Sequence, residues 1–316
     1  MIEFKKTEFK GWQGYELKNK VISLILLPEV GGKIVSFSYR GQDLFFNLPE
    51  NSTSKIDLSR IGDVKSYRKK FDYVPTGGYK TWLAPQSKWD WPPYLDLELG
   101  SYNMSVFQEK DKIQVELTSP VCRESGMRLM RVITLKAGSP EVTIKQGMEN
   151  CSTTDRTFGL WDVTQIHGEG RVIFPILSDD SLGYIVTPEK NNYTERYNFD
   201  GKSFISVHCP GQEIFKLGTG YSKGWILTLV EKEDWLLGYL KIFPVFSGAR
   251  FGHGYAMEVF DTNKYNYFEV EVHGPLNKIR PQDKYFFTEE WRVLSWDKKS
   301  DIKEIMETVK SIVPDG

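Results

Sequence analysis

Short runs in which apolar side chains alternate with polar ones recur along almost the whole of this 316-residue chain, each closed by a turn signal. Runs at 21–27, 33–39, 96–99, 104–109, 112–117, 127–135, 141–148 and 157–166 read as strands, as do 171–174, 204–207, 213–217, 225–230, 236–243, 256–260, 265–273 and 285–296. Gly31-Gly32, Lys110-Asp111, Ala137-Gly138-Ser139-Pro140, Asp261-Thr262-Asn263 and Arg280-Pro281-Gln282-Asp283 punctuate them. The period changes only at the end. Over 299–312, Ile302, Ile305, Met306, Val309 and Ile312 make the stripe of an amphipathic helix, with Ser300 as its expected N-cap, Asp301 in the first turn and Pro314 as its stop. Residues 50–73 are polar and charged, an excursion from the sheet with some helical character. No strand–helix–strand rhythm appears, which disfavours a parallel doubly wound sheet. The pattern predicts an all-β chain: one antiparallel sandwich domain spanning 1–316, with strands to about residue 297 and a short C-terminal helix at about 299–313.

Composition narrows the class. Hydrophobic residues at 40% and charged residues at 26% are ordinary for a soluble globular protein, and a net charge of −1 provides no pull toward nucleic acid or an anionic membrane. No apolar run of signal-peptide length follows Met1, and none approaches the roughly 20 residues of a membrane span, so the expected location is cytoplasmic. Three widely spaced cysteines, Cys122, Cys151 and Cys209, do not make a disulfide framework, and the sequons at Asn51, Asn103, Asn150 and Asn192 carry no weight without an export signal.

The aromatic content, 14% with 9 Trp and 16 Tyr, exceeds what a core requires, and it concentrates in one place. Residues 76–94 hold Trp82, Trp89 and Trp91 among Gly77-Gly78 and Pro92-Pro93, with Lys80, Gln86 and Asp90 interspersed. Such a segment reads as a rigid loop outside the regular core elements. Flat aromatic faces beside amide, ammonium and carboxylate groups suit a pyranose, which shows one surface of C–H bonds and a rim of hydroxyls; the same residues also suit a cap over a sandwich core. The run 265–273 is the second signal. Strand alternation puts Phe268, Val270 and Val272 on one face and Tyr265, Tyr267, Glu269, Glu271 and His273 on the other, where two carboxylates and an imidazole either transfer protons or form a solvated face. In Gly159-Leu160-Trp161-Asp162-Val163-Thr164-Gln165-Ile166, Asp162 and Gln165 sit among apolar residues and need partners, either structural hydrogen bonds or a ligand.

Other motifs fail. Gly220-Tyr221-Ser222-Lys223-Gly224 matches a nucleophile elbow, but a strand follows it where a helix is required, so it reads as a hairpin turn. His167, His208, His253 and His273 have no metal-binding spacing, so no zinc site and no other metal are expected. Lys65, Arg68, Lys69 and Lys70 form either a sugar-phosphate contact or a solvated loop.

Three stretches together resemble the galactose mutarotase-like superfamily, the relatives of aldose 1-epimerase. Leu27-Pro28-Glu29-Val30-Gly31-Gly32-Lys33-Ile34-Val35-Ser36-Phe37 is similar to its opening strand–turn–strand, and Gly77-Gly78-Tyr79-Lys80-Thr81-Trp82 stands where its members carry a His-Gly segment. Glu269-Val270-Glu271, followed by Ile279-Arg280-Pro281-Gln282-Asp283-Lys284-Tyr285, resembles the closing strand with the catalytic Glu, then turn and strand. Trp-Leu-Ala-Pro-Gln, Trp-Pro-Pro and Trp-Asp-Val-Thr-Gln look like a domain-of-unknown-function branch, and the resemblance covers residues 20 to 296. It implies a large β-supersandwich binding a small carbohydrate without a cofactor; charge and the lack of long apolar runs set nucleic acid and membrane aside, and the sequence leaves the oligomeric state open. It also implies a Glu base on the anomeric hydroxyl, a His acid at the ring oxygen and a second, binding His. Glu271 matches the base best, with Glu269 as fallback. Thr76 stands at the first His and Trp161 or Asp162 at the second, so the acid would fall to Asp162, Lys80 or His273. Trp82, Trp89 or Trp91 would stack on the sugar, while Lys80, Gln86, Asp162 and Gln165 would hold its hydroxyls. Two other functions fit: a sugar-binding protein without catalysis, or a domain related to glycoside hydrolases and lyases with Asp162 and Glu271 as its carboxyl pair.

Overall fold

Strands whose inner residues are apolar must cover that face, and here two antiparallel sheets cover each other. The computed structural model describes residues 2–48, 56–178, 181–189 and 193–313; Asn51, Asn192 and Pro314 lie outside the described residues. The larger sheet runs Glu3–Phe9, Trp12–Lys18, Ile22–Leu27, Lys33–Tyr39, Tyr79–Ala84, Arg156–His167, Tyr267–His273, Met257–Asp261, Phe215–Thr219 and Leu182–Val186, with Gln42–Asp43 and Asn277–Ile279 at its sides. The smaller runs Thr194–Phe199, Lys202–Cys209, Gly170–Pro175, Trp225–Glu231, Trp235–Ile242, Lys284–Asp297, Glu141–Asn150, Met127–Lys136, Lys112–Thr118 and Asn103–Gln108. This is the expected all-β supersandwich. Its C-terminal helix, Ile302–Lys310, lays Ile305, Met306 and Val309 on Leu227, Leu229, Leu236 and Trp296 of the smaller sheet's outer face.

Aromatic rings fill the layer between the sheets. Phe37, Tyr79 and Tyr239 meet Trp291 at centroid distances of 5.8, 4.7 and 5.6 Å. Each such side chain contributes about 1.5–3 kcal/mol on burial. A polar seam crosses this layer. Lys241 pairs with Asp162 and lies 3.6 Å from Glu289, which accepts hydrogen bonds from Tyr79 Oη at 2.8 Å and Gln146 Nε2 at 3.2 Å. All five side chains are buried. Burial, and then Glu289, push the Asp162 carboxyl well up from its ordinary range against the pull of Lys241.

Several sequence expectations are corrected. Residues 79–84 are a fully buried strand in the interior of the larger sheet, not an irregular loop. The double glycine before it is needed because both residues have positive φ (86° and 70°), and a Cβ on Gly77 would strike the Phe46 carbonyl at 2.0 Å. Residues 96–98 fall in a helical turn, Leu95–Glu98, with Leu99 at its C-cap, and not in a strand. The 220–224 turn joins strands of different sheets, so it is a crossover and not a hairpin. Asp301, not Ser300, caps the helix: its carboxylate accepts from Glu304 N at 2.9 Å. The Glu3–Phe9/Trp12–Lys18 hairpin and the edge strands Leu182–Val186 and Thr194–Phe199 were not expected, since exposed edge strands show little apolar alternation.

Removing one partner from the buried seam leaves a charge without compensation. Lys241→Ala is therefore expected to lower unfolding stability in urea by about 3–5 kcal/mol, with part of that loss recovered in the Lys241→Ala/Asp162→Ala double variant.

Candidate functional site

The outer face of the larger sheet carries the site, and strand register lays it out. Trp82, Trp161 and His273 are cross-strand neighbours in one row. Lys80, Val163, Glu271 and Glu258 form the next. Gln165, Glu269, Phe260 and Lys216 form the third. A cleft of about 360 Å³ lies over these rows, lined by Trp82 and Trp161 from the first and by Gln165, Glu269, Phe260 and Lys216 from the third. Tyr73, Pro75, Gln86 and Trp91 make one wall; Thr262, Lys264, Tyr265 and Tyr267 make the other. The middle row lies sealed between the two lining rows, with Lys80 2% and Glu271 0% exposed.

The wall bearing Trp91 is pinned by two ion pairs. Glu98 accepts from Lys33 Nζ at 2.6 Å, Tyr73 Oη at 2.8 Å and Trp82 Nε1 at 2.7 Å. Burial works to raise its pKa, yet Lys33 and Lys80 outweigh this and hold it below the ordinary range. Arg68 grips Glu124 through two hydrogen bonds of 2.8 and 2.9 Å and donates to the carbonyls of Asp90 and Pro92. Arg68 is thus a buried anchor for the Trp-Pro-Pro segment, neither a phosphate contact nor a solvated charge. Trp91 stands half exposed, edge-on to Tyr73 and Trp82 at 5.0 and 6.0 Å.

One cation serves two carboxylates beneath the cleft. Lys216 Nζ lies 2.7 Å from Glu258 and 2.9 Å from Glu271. Glu258 also meets His253 Nδ1 and His273 Nε2, each at 3.2 Å. Burial alone would raise the Glu258 pKa; His273, His253 and Lys216 overcome it and hold this carboxyl far below its ordinary value. Glu271 is pushed up, by burial first and by Glu258 and Glu269 besides, and Lys216 does not fully compensate. Of the two carboxyls, Glu258 is the one its surroundings hold more firmly in the charged form. Trp161 Nε1 donates to Glu271 Oε2 at 2.6 Å, while Glu271 Oε1 has no hydrogen-bond partner among the described residues. Lys80 Nζ and Gln165 Oε1 also lack one. The Lys80 Nζ lies over the Trp82 ring at 5.3 Å, and burial lowers its pKa to about 8 against the pull of Glu98 and Glu269.

His253, Glu258 and His273 bring three possible metal-ligating atoms within 4.8 Å of one another. The hydrogen bonding disfavours an ion there. Gln86 N–H donates to His253 Nε2 at 3.1 Å, which assigns the ring proton to Nδ1, the nitrogen facing Glu258. A metal-bound histidine instead turns its free N–H toward an acceptor.

The sequence-predicted residues fall into three groups. Trp82, Gln86, Trp91, Gln165 and Glu269 line the cleft; Lys80, Glu271 and His273 lie buried on the same sheet face. Trp89 is buried behind it, donating from Nε1 to the Leu83 carbonyl at 2.8 Å. Asp162 points the other way, into the layer between the sheets, because it alternates with Trp161 and Val163. It shares no cleft with Glu271, so neither the hydroxyl-binding nor the acid role expected of it has a place here. Lys216, Glu258, His253, Glu98 and Tyr73 were missed. For Lys216 and Glu258 the signal was a single charge inside a short apolar run, Phe215-Lys216-Leu217 and Met257-Glu258-Val259, and those runs read simply as strands.

Lys80 gives the site a measurable signature. Its proton is held to about pH 10.5 in the unfolded chain but released near pH 8 in the folded one. The unfolded state binds more protons between these values, so stability rises with pH across that window. Lys80→Met is expected to raise stability at pH 7 by on the order of 3 kcal/mol and to flatten the rise between pH 8 and 10.5, as read by urea unfolding at each pH.

Solved structures of the galactose mutarotase-like fold superpose on 93% or more of the chain. A candidate aldose 1-epimerase from Klebsiella pneumoniae subsp. pneumoniae MGH 78578 matches with a TM-score of 0.59 at 12% identity, over 99% of this chain and 88% of that one. A candidate mutarotase from Salmonella typhimurium matches at 0.57 and 7%, over 93% and 94%. A galactose mutarotase-like protein from Clostridium acetobutylicum matches at 0.53 and 8%, over 94% and 99%. Identities this low establish the fold alone. No curated protein matches the chain. Residues 13–294 match the family described as "Domain of unknown function (DUF4380)", and the chain belongs to that family.

Proposed function

We propose that this protein binds a small carbohydrate in the cleft and exchanges its anomers by acid–base proton transfer between Glu271 and Lys80. One observation carries the reading. Lys80 Nζ, Gln165 Oε1 and Glu271 Oε1 are buried on one sheet face, around Val163, without a hydrogen-bond partner among the described residues. A buried polar atom left unpaired costs about 1–3 kcal/mol, so three on one patch call for a hydroxylated guest. The cleft suits a sugar, since Tyr73 and Trp91 on one wall, Tyr265 and Tyr267 on the other and Trp82 on the floor offer ring faces or edges to C–H surfaces.

Proton transfer works best when donor and acceptor pKa values lie near the working pH. Burial brings both groups toward it, raising Glu271 and lowering Lys80 to about 8. Glu271 takes the anomeric proton while the Lys80 ammonium donates to the ring oxygen, and the ring opens to the aldehyde; closure on the other face reverses both steps. Lys80 takes the place of the acid imidazole that the superfamily resemblance implies, in a chain with Thr76 at the first His position and Trp161 or Asp162 at the second.

The seal over the middle row favours a second reading, a sugar-binding protein without catalysis, because Glu271 and Lys80 reach a ligand only if the lining side chains part. Saturation-transfer NMR against mixed aldoses, with anomer exchange read in the same sample, separates the two. The enzyme reading expects saturable binding with accelerated exchange, and a fall of 10²–10⁴-fold in exchange for Glu271→Gln with affinity kept within about tenfold. Binding with no acceleration establishes the second reading. No transfer at millimolar sugar overturns both.

A further inference from the structure

Lys80 is a buried amine on the cleft face whose Nζ, among the described residues, makes no hydrogen bond to a carboxylate. Lys33 is paired to Glu98, Lys216 to Glu258 and Glu271, and Lys241 to Asp162, whereas Lys80 Nζ has no hydrogen-bond or ion-pair partner among the described residues. Its cross-strand neighbour is Val163, whose short side chain separates it from Glu271. An unpaired amine and a carboxyl with a free oxygen therefore flank one small apolar residue beneath the cleft. Amines shielded in this way are nucleophiles for carbonyl carbon.

We propose that Lys80 forms an imine with the open-chain aldehyde of the sugar, so that the site binds carbonyl compounds covalently and reversibly. The inference rests on the sugar reading above, in which ring opening delivers an aldehyde to this floor. The Nζ lone pair adds to the aldehyde carbon while the carbonyl π electrons move to oxygen, which takes a proton from the Glu271 carboxyl. Nitrogen loses a proton to the Glu271 carboxylate, and the carbinolamine oxygen leaves as water once it has received that proton. The imine C=N bond forms as the C–O bond breaks, and the iminium nitrogen gives its remaining proton to the Glu271 carboxylate. The sum is amine plus aldehyde giving imine plus water, with Glu271 restored and no oxidant or reductant consumed. The lowered pKa of Lys80 supports the step, since at pH 7 it holds on the order of 100-fold more neutral amine than a surface lysine.

The test is reductive trapping. The protein at pH 7 is incubated with sodium cyanoborohydride and either glyceraldehyde, which needs no ring opening, or the mixed aldoses, and the adduct is located by peptide mass spectrometry. One adduct per chain at Lys80 is expected, enriched at least about tenfold over the mean of the other lysines and lost in Lys80→Met. That variant removes an unpaired buried charge, and its retained fold is checked by circular dichroism. Glu271→Gln is expected to slow trapping at Lys80 by about 10²-fold while surface labelling stays unchanged. Adducts spread over surface lysines, with Lys80 unmodified by glyceraldehyde, overturn the imine. If aldoses still bind by saturation transfer in that case, only the imine has failed; a glyceraldehyde adduct at Lys80 without aldose binding keeps the amine chemistry and removes the sugar reading.

Discussion

The register of three adjacent strands, Tyr79–Ala84, Arg156–His167 and Tyr267–His273, is the constraint on which everything else here depends. Each is buried on both faces, so each must present one set of side chains to the sandwich and another to the cleft. Slipping Arg156–His167 by one residue would turn Asp162 to the cleft and Trp161 into the aromatic core. Two features hold the register in place. Lys241 meets Asp162 across the sandwich, and Trp161 donates to Glu271 across the neighbouring strand.

That arrangement places two polar layers back to back. Inside, Lys241 is shared by Asp162 and Glu289; outside, Lys216 is shared by Glu258 and Glu271. In each case one cation cannot neutralise two buried carboxylates, and one carboxyl is driven toward its protonated form: Asp162 within, Glu271 without. The inner pair lies between tightly packed aromatic rings and has no route to a ligand. The outer pair lies under a cleft. The same electrostatic competition is structural on one face of the sheet and available for chemistry on the other.

The cleft itself is built by what crosses over the sheet. Pro85, Pro92 and Pro93 keep residues 85–94 out of the ladder, Arg68 draws in the carbonyls of Asp90 and Pro92, and Glu98 returns to clasp Lys33, Tyr73 and Trp82. Trp82 is thereby locked as floor, leaving Trp91 at the rim, while Trp89 is spent on packing. Three tryptophans that look alike in the chain have three different positions.

By itself the sequence determined the all-β sandwich, its terminal helix, and the sharing of one face by Glu269, Glu271 and His273. These follow from local periodicity, which each strand or helix carries within its own few residues. It also marked Trp82, Gln86, Trp91 and Gln165 through the density of aromatic and amide groups in polar surroundings. Only the tertiary structure decided that Asp162 turns inward and that Lys216, Glu258 and His253 gather beneath the cleft from segments far apart in the chain. Only it decided, too, that Lys80 Nζ has no hydrogen-bond partner among the described residues. Which charge meets which across a sheet depends on strand order and register, and those are set by long-range pairing that no local pattern encodes.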